Sequence, residues 1–510
     1  MARRFLSALA LAAFFGIIGG STAPALGAVT VGAAQPNTAV HFEVVGHAPL
    51  FGRGMNAAIA VYRHFVYVGD RTDNSDGHTH PGVLVVDTAD VSHPHVVGRI
   101  GPPLEDSVGM TARELRVWPR KRLLVVMNFP CSSLLHDCAA GPDTWNLRFF
   151  DLTGAHARHP RLIATYHPPA EPHEMYLWQD PKNPDRALLY LSTPNGTTAA
   201  GASELQVLDI SQAREGHFRT VTTATFTRLF KTQAPAQWKA CGGEGIGIYV
   251  HSMALAADGR RIFLAYNCGE FLEADSSQVA AGLSNPRIRL LTPIPDRPTW
   301  ANPHGHSAVP VPGRPFVLMT DEVYGSSLTQ FDPPAEHDGC PWQWVRLINA
   351  RDSGDPDVVG QYKIRQDTRH YCRTAGRNPR NNRFTSFTSH NPTVLPNLAF
   401  VTWHSGGLQA IDITHPARPA QAGYIRPQPL RHVATEDPAL SAGNQKTLMW
   451  SYPIINHGLI YVGDIRNGLY ILRYTGADAS EVSRVGFLEG NSNLGDDVRL
   501  SRRTFRDERL

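Results

Sequence analysis

The feature that most restricts this chain is a recurring order of short apolar segments and polar turns. Its clearest copy spans 55–100 and reads MNAAIAVYR, HFVYVGD, a polar loop, GVLVVD, a TADVSHP turn and HVVGRI. Runs of Val, Ile, Leu, Tyr and Phe bounded by Gly, Pro, Asp and Asn read as strands, so the unit is four strands. The order returns at 390–425 as HNPTVLP, LAFVTWH, GLQAIDITHPARP and AQAGYI, and at 448–473 as LMWSYPII, LIYVGD and GLYILR. Less regular copies follow Arg113, His173, His251 and His306, and helical periodicity is nearly absent.

Stacked units of this kind bury apolar faces that none can bury alone. Seven of them in 510 residues predict an all-β fold, a seven-bladed β-propeller with four-stranded blades. The last unit lacks an outer strand after Tyr474, whereas HFEVVGHAPL at 41–50 stands alone before the first. That N-terminal outer strand can complete the seventh blade and close the ring, which removes an exposed sheet edge. In the fourth unit no convincing fourth strand follows RIRLLTP before Trp300.

The ends set the organisation. Arg3 and Arg4, an apolar run and the small-residue site Ala23-Pro24-Ala25 predict an export signal over 1–28. The propeller is expected over 40–476 and a charged C-terminal appendage over 477–510. The signal's apolar run is short for a membrane span, so the expected product is exported, periplasmic or secreted, without integral membrane contact. A net charge of +3 gives no electrostatic case for nucleic acid. The expected partner is a small-molecule substrate or another protein. Six cysteines in an exported chain favour disulfides. The sequential set is expected: Cys131 with Cys138, Cys241 with Cys268, and Cys340 with Cys372.

The runs GVLVVDTADVSHPHVVG (82–98) and GLQAIDITHPARPAQAG (407–423) resemble LVIVD repeats, with ELQVLDIS (204–211) and NLRFFDLTGAHARHP (146–160) as looser copies. This resemblance covers most of the chain beyond the leader. It implies an exported β-propeller and no particular activity, because propellers host unrelated chemistries. In architecture alone the chain is similar to selenium-binding proteins, a propeller family linked to methanethiol oxidation and copper. In the repeat itself, Asp87, Asp151, Asp209 and Asp412 close the third strand and are expected to cap the next turn.

Aligning the first strands of the units brings Asn56, Glu114 or Arg113, His173, His251, His306, His390 and Ser451 to comparable places. Equivalent positions in a propeller converge on its axis. Four imidazoles there, His173, His251, His306 and His390, fit a metal centre with open positions for substrate or oxygen. Iron or copper is expected rather than zinc, which lacks redox chemistry. Carotenoid-cleaving oxygenases illustrate the principle of four histidines holding iron on a propeller axis. The predicted function is metal-dependent oxidation of a small molecule. Competing expectations are a non-catalytic binding surface, where the imidazoles merely contact water, and a metal-independent hydrolase using histidine as base.

Strands alternate direction, so the end of each second strand shares the histidine face. Asp70, Asp321, Glu322, His404 and Asp464 fall there as groups that would orient a ligating histidine, with Asp321 and His404 preferred. His304, two residues before His306, is an alternate ligand. The loop 73–80 starts like a calcium loop but has Val83 at the twelfth position, so calcium is not expected.

Overall fold

Each apolar run becomes a strand that can be buried on both faces between neighbouring sheets; Phe65–Asp70 and Ala187–Ser192 are buried throughout. The computed structural model describes residues 27–101, 108–131, 144–194, 203–241, 247–323, 341–374, 386–437 and 446–502, with 36, 72, 74, 76 and 302 excepted and 139 and 141 added. The chain is all-β and of propeller type. Consecutive groups of four antiparallel strands follow one another, their first strands being Asn56–Tyr62, Met110–Trp118, Glu174–Gln179, Tyr249–Leu255, Gly305–Pro310, Pro392–Val394 and Ile454–Asn456. First strands of neighbouring groups pack together from Asn56–Tyr62 through Pro392–Val394, Thr393 Oγ1 of the last donates to the Pro453 carbonyl at 2.5 Å, and Ile454–Asn456 meets Asn56–Tyr62. The first two groups share one hydrogen-bonded sheet through a single residue pair, Asp70 with Ala112.

Third strands end in a side-chain turn. The Asp87, Asp151, Asp209 and Asp412 carboxylates accept the amides of Ala89, Thr153, Ser211 and Thr414 at 2.9, 3.1, 3.0 and 2.8 Å. Asp275 and Asn349 do the same in the groups where the repeat is least regular. Four fourth strands carry a glycine, Gly46, Gly98, Gly360 and Gly423, where a neighbouring segment approaches closely. A Cβ on Gly46 would lie 2.0 Å from the Val91 carbonyl oxygen, and one on Gly360 2.0 Å from that of Pro416. No side chain fits there, which accounts for the recurring glycine of the repeat.

Three N-terminal segments add outer strands. Ala28–Gly32 runs parallel to Asp357–Ile364, Thr38–Val40 pairs with Ala420–Arg426, and Phe42–Ala48 pairs with Gly468–Tyr474. The last is the lone segment at 41–50, found where the repeat pattern requires a partner. Most of the predicted leader lies outside the described residues; its last residue, Ala28, begins the first of these strands.

The irregular fourth group has Glu270–Asp275 as its third strand, and RIRLLTP supplies a two-residue fourth strand, Arg289–Leu290, paired with Ala274 and Asp275. Two pairing residues are too short a run for sequence periodicity to mark.

The segment beyond 477, expected as a polar appendage, turns inward. Phe487–Leu488 pairs with Ile455 and Asn456 on the free edge of a first strand, and Ser492 bridges Leu177 of another. Its polar side chains conceal this course: Glu489, Asn491, Ser492 and Asn493 are all buried.

Cys241 and Cys268 form a disulfide. Cys131 and Cys372 are also disulfide-bonded, and their expected partners Cys138 and Cys340 lie outside the described residues. Among the described residues no helix is long and apolar enough to cross a membrane.

Candidate functional site

The first strands share a local irregularity. Pairing with the second strand shifts between Ala112 and Glu114, between Val250 and Ser252, and between Gly305 and Ser307, which leaves Arg113, His251 and His306 as extra residues. A bulge residue leaves the ladder and its side chain is re-aimed. His173 and His390 occupy the corresponding place, their amides donating to the Ser192 and Thr402 carbonyls at 2.9 Å each.

Hydroxyls on first and second strands tie these groups to the next. Ser192 Oγ donates to the His251 carbonyl at 2.8 Å, Ser252 Oγ to that of His306 at 2.6 Å, and Thr320 Oγ1 to that of His390 at 2.5 Å. These bonds fix the backbone at His251 and His306, which lie within first strands, and at His390, which like His173 stands just before one.

The four sequence-predicted histidines form one arc. Ring centroids of His173 and His251 are 4.5 Å apart, of His251 and His306 4.1 Å, and of His306 and His390 3.9 Å. His404 continues it, 4.8 Å from His390. The Nε2 atoms of His173 and His251 are 3.1 Å apart, the spacing of two nitrogens each about 2.1 Å from one ion at nearly a right angle. Burial is the main cause that holds His173, His306 and His390 well below the ordinary imidazole value and brings His251 down to about 4. The rings are therefore neutral at pH 7, the form that binds metals.

Glu322 closes the arc at the His390 end. Its Oε1 lies 3.2 Å from His390 Nε2 and 3.0 Å from His404 Nε2, and its Oε2 3.7 Å from His306 Nε2. Burial disfavours the ionised form of Glu322, and the facing His390, His306 and His404 rings favour it. At the other end stands Glu174, which sequence reasoning missed. One of its oxygens lies within 4.8 Å of ring nitrogens of His251 and His306. Burial, reinforced by the Glu114 carboxylate, pushes Glu174 well above the carboxylate range. The signal for Glu174 was its place directly after His173.

The remaining candidates divide. Asp321, preferred over Glu322 in the sequence, ion-pairs with buried Arg346, and its other oxygen receives the His304 amide at 3.3 Å. Asp70 accepts the amides of Gly82 and Ala112 at 2.6 and 2.9 Å. Asp464 accepts those of Leu448, Arg466 and Asn467 at 2.7, 2.9 and 2.8 Å. These three carboxylates hold turns together. His304 Nδ1 meets Asn267 Oδ1 at 3.2 Å; the bulge at His306 breaks the alternation that would have put both rings on one side. In the loop 73–80, Asp73 contacts His78 Nδ1 at 2.6 Å and accepts the Ala139 amide at 2.9 Å. Of the other aligned positions, Asn56 accepts from Arg53 at 2.7 Å, and Ser451 Oγ accepts the Gly463 amide at 2.8 Å.

No family model and no curated protein matches the chain. Solved structures similar in fold include Chaetomium thermophilum Sqt1 bound to the N-terminus of the ribosomal protein L10, at 12% identity and TM-score 0.45, covering 84% of this chain and 89% of that one. The periplasmic gluconolactonase PpgL of Pseudomonas aeruginosa is similar at 12% identity and TM-score 0.43, covering 81% and 98%. The β-propeller domain of Cps50 (Swd1) from Myceliophteria thermophila gives 11% identity and TM-score 0.42, covering 86% and 99%.

Proposed function

We propose that this protein is an exported seven-bladed β-propeller that holds a divalent transition-metal ion on its axis with imidazoles drawn from His173, His251, His306 and His390, and oxidises a small molecule there. The contact of Ile454–Asn456 with Asn56–Tyr62 and the pairing of Phe42–Ala48 with Gly468–Tyr474 support a closed ring. One observation carries the functional reading: four imidazoles from consecutive groups lie in an unbroken arc, three of them buried and His173 half-buried, with the Glu322 carboxyl beside them. Imidazole suits iron, copper and zinc alike, and redox chemistry favours iron or copper. The bound ion would supply a Lewis acid and an electron relay; the chain supplies fixed ligands and exclusion of bulk water.

Elemental mass spectrometry on protein purified without a histidine tag tests this reading. About one equivalent of iron or copper per chain is expected, followed by oxygen consumption in a screen of small substrates. Protein that retains none of iron, copper or zinc after reconstitution would overturn it.

A further inference from the structure

The segment 487–494 touches first strands on both sides of the molecule, and the order of its contacts shows where it runs. Phe487 and Leu488 pair with Asn456 and Ile455 of the seventh group. A Cβ on Gly490 would lie 1.9 Å from the Pro392 carbonyl oxygen of the sixth, so the backbone is pressed against that strand and no side chain fits. The Asn491 carbonyl accepts the Leu177 amide of the third group at 3.1 Å, and its side-chain oxygen accepts from Arg116 of the second at 2.7 Å. Asn493 Nδ2 donates to the carbonyl of Gln179 in the third group at 2.8 Å and to that of Ala257, just past the first strand of the fourth, at 3.0 Å. Val309 of the fifth group lines a small cavity with Leu488, Glu489 and Gly490.

In a ring of seven the seventh and third groups stand almost opposite each other. A stretch that joins them in the six residues from Phe487 to Asn493, at most about 20 Å of chain, crosses the axis. Leu177 and Gln179 are four and six places beyond His173, and Ala257 is six beyond His251. At about 3.3 Å per residue the crossing lies roughly 13–20 Å from the imidazole arc, at the other end of the strands. The crossing is tight: Leu488, Glu489, Asn491, Ser492, Asn493 and Leu494 are at most 4% exposed.

We infer that residues 487–494 are an internal plug. They close the far end of the axis of the seven-bladed ring, a reading on which this inference rests, so that water and reactants reach the imidazoles from the histidine face. Glu114, Glu174 and Tyr452 are buried between the two levels. Arg116 links plug and interior, holding Asn491 on one side and pairing with Glu114 at 3.1 Å on the other. A far end closed to water keeps the dielectric around the arc low, where charges and dipoles act most strongly.

The full chain carrying Gly490→Val tests the plug, because a valine side chain cannot stay against Pro392. Amide hydrogen exchange reads the segment, and carbethoxylation of His251 and His306 by diethyl pyrocarbonate, on chelator-treated protein, reads access to the arc. Both rates should rise by about tenfold or more, while the exposed His159 keeps its rate. Faster exchange of 487–494 with unchanged rates at His251 and His306 would show that the segment closes no route and overturn the inference. A segment as protected in Gly490→Val as in the unsubstituted chain would overturn its course along Pro392, and with it the plug. Should Gly490→Val not fold, the unsubstituted chain decides: exchange of 487–494 as slow as that of the first strands supports the plug, and faster exchange overturns it. An open ring would instead let Phe42–Ala48 and Asn56–Tyr62 exchange rapidly too, which marks failure of the seven-bladed reading itself.

Discussion

The two ends of the first strands are built from the same backbone and buried to a similar degree, yet their polar groups are in opposite condition. At the far end the C-terminal segment bonds to backbone groups of the strands it covers. Asn493 donates to the Gln179 and Ala257 carbonyls at 2.8 and 3.0 Å and receives the Gln179 amide at 2.8 Å, while Glu489 accepts from Ser492 at 2.6 Å. At the histidine end, the Glu322 carboxyl meets ring nitrogens of His390, His404 and His306 at 3.2, 3.0 and 3.7 Å. The difference teaches that burial alone does not mark a site. Polar groups paired with backbone make a plug, whereas titratable groups gathered against one another make a candidate site.

That contrast can be broken most severely at the histidines. His306→Ala should lower metal affinity by about 100-fold or more, measured by elemental analysis after dialysis, with the fold retained by circular dichroism. An unchanged metal content would make the two ends alike.

The neighbours Asp321 and Glu322 sharpen it next. Asp321→Ala leaves buried Arg346 without its carboxylate and should cost about 3–5 kcal/mol in urea unfolding, a purely structural penalty. At the plugged end, Leu488→Ala removes a side chain only 2% exposed and should cost about 2–5 kcal/mol without changing metal content per folded molecule. Loss of metal in that variant would show the two ends to be one coupled unit.

The smallest effect is a pH dependence of the metal-free protein. Burial brings His251 to about 4, below the roughly 6.5 of an exposed imidazole. Between those values the unfolded chain takes up a proton that the folded chain refuses. The His251 contribution is therefore intact above about pH 6.5 and is lost as pH falls toward 4. Between pH 7.5 and 5 it amounts to about 2 kcal/mol, and His251→Gln should remove that part of the slope in urea unfolding.

Much of this architecture could be read from the residues. The third-strand aspartates and the lone segment at 41–50 act through local turn chemistry or period-two burial, which leaves a mark in the sequence. The histidine alignment was legible for the same reason, since one place in each repeat maps to one place in space. Arg113 rather than Glu114 takes the bulge position because a single extra residue shifts the register, and periodicity alone does not register it. The preference for Asp321 over Glu322 failed similarly. Both end the same strand, and which one turns to the arc depends on Arg346, which binds Asp321 from the next strand. The inward course of the C-terminal segment left no trace either, because its polar residues bond to backbone groups far away in the chain.

By itself, then, the sequence determined the four-strand repeat, its turns and the recurrence of histidine, all of which follow from local propensity and spacing. The tertiary structure alone decided which carboxylate meets the imidazoles and which end of the strands is filled. Those are relations between residues up to 314 positions apart, set by packing and hydrogen-bond satisfaction, which no local pattern encodes.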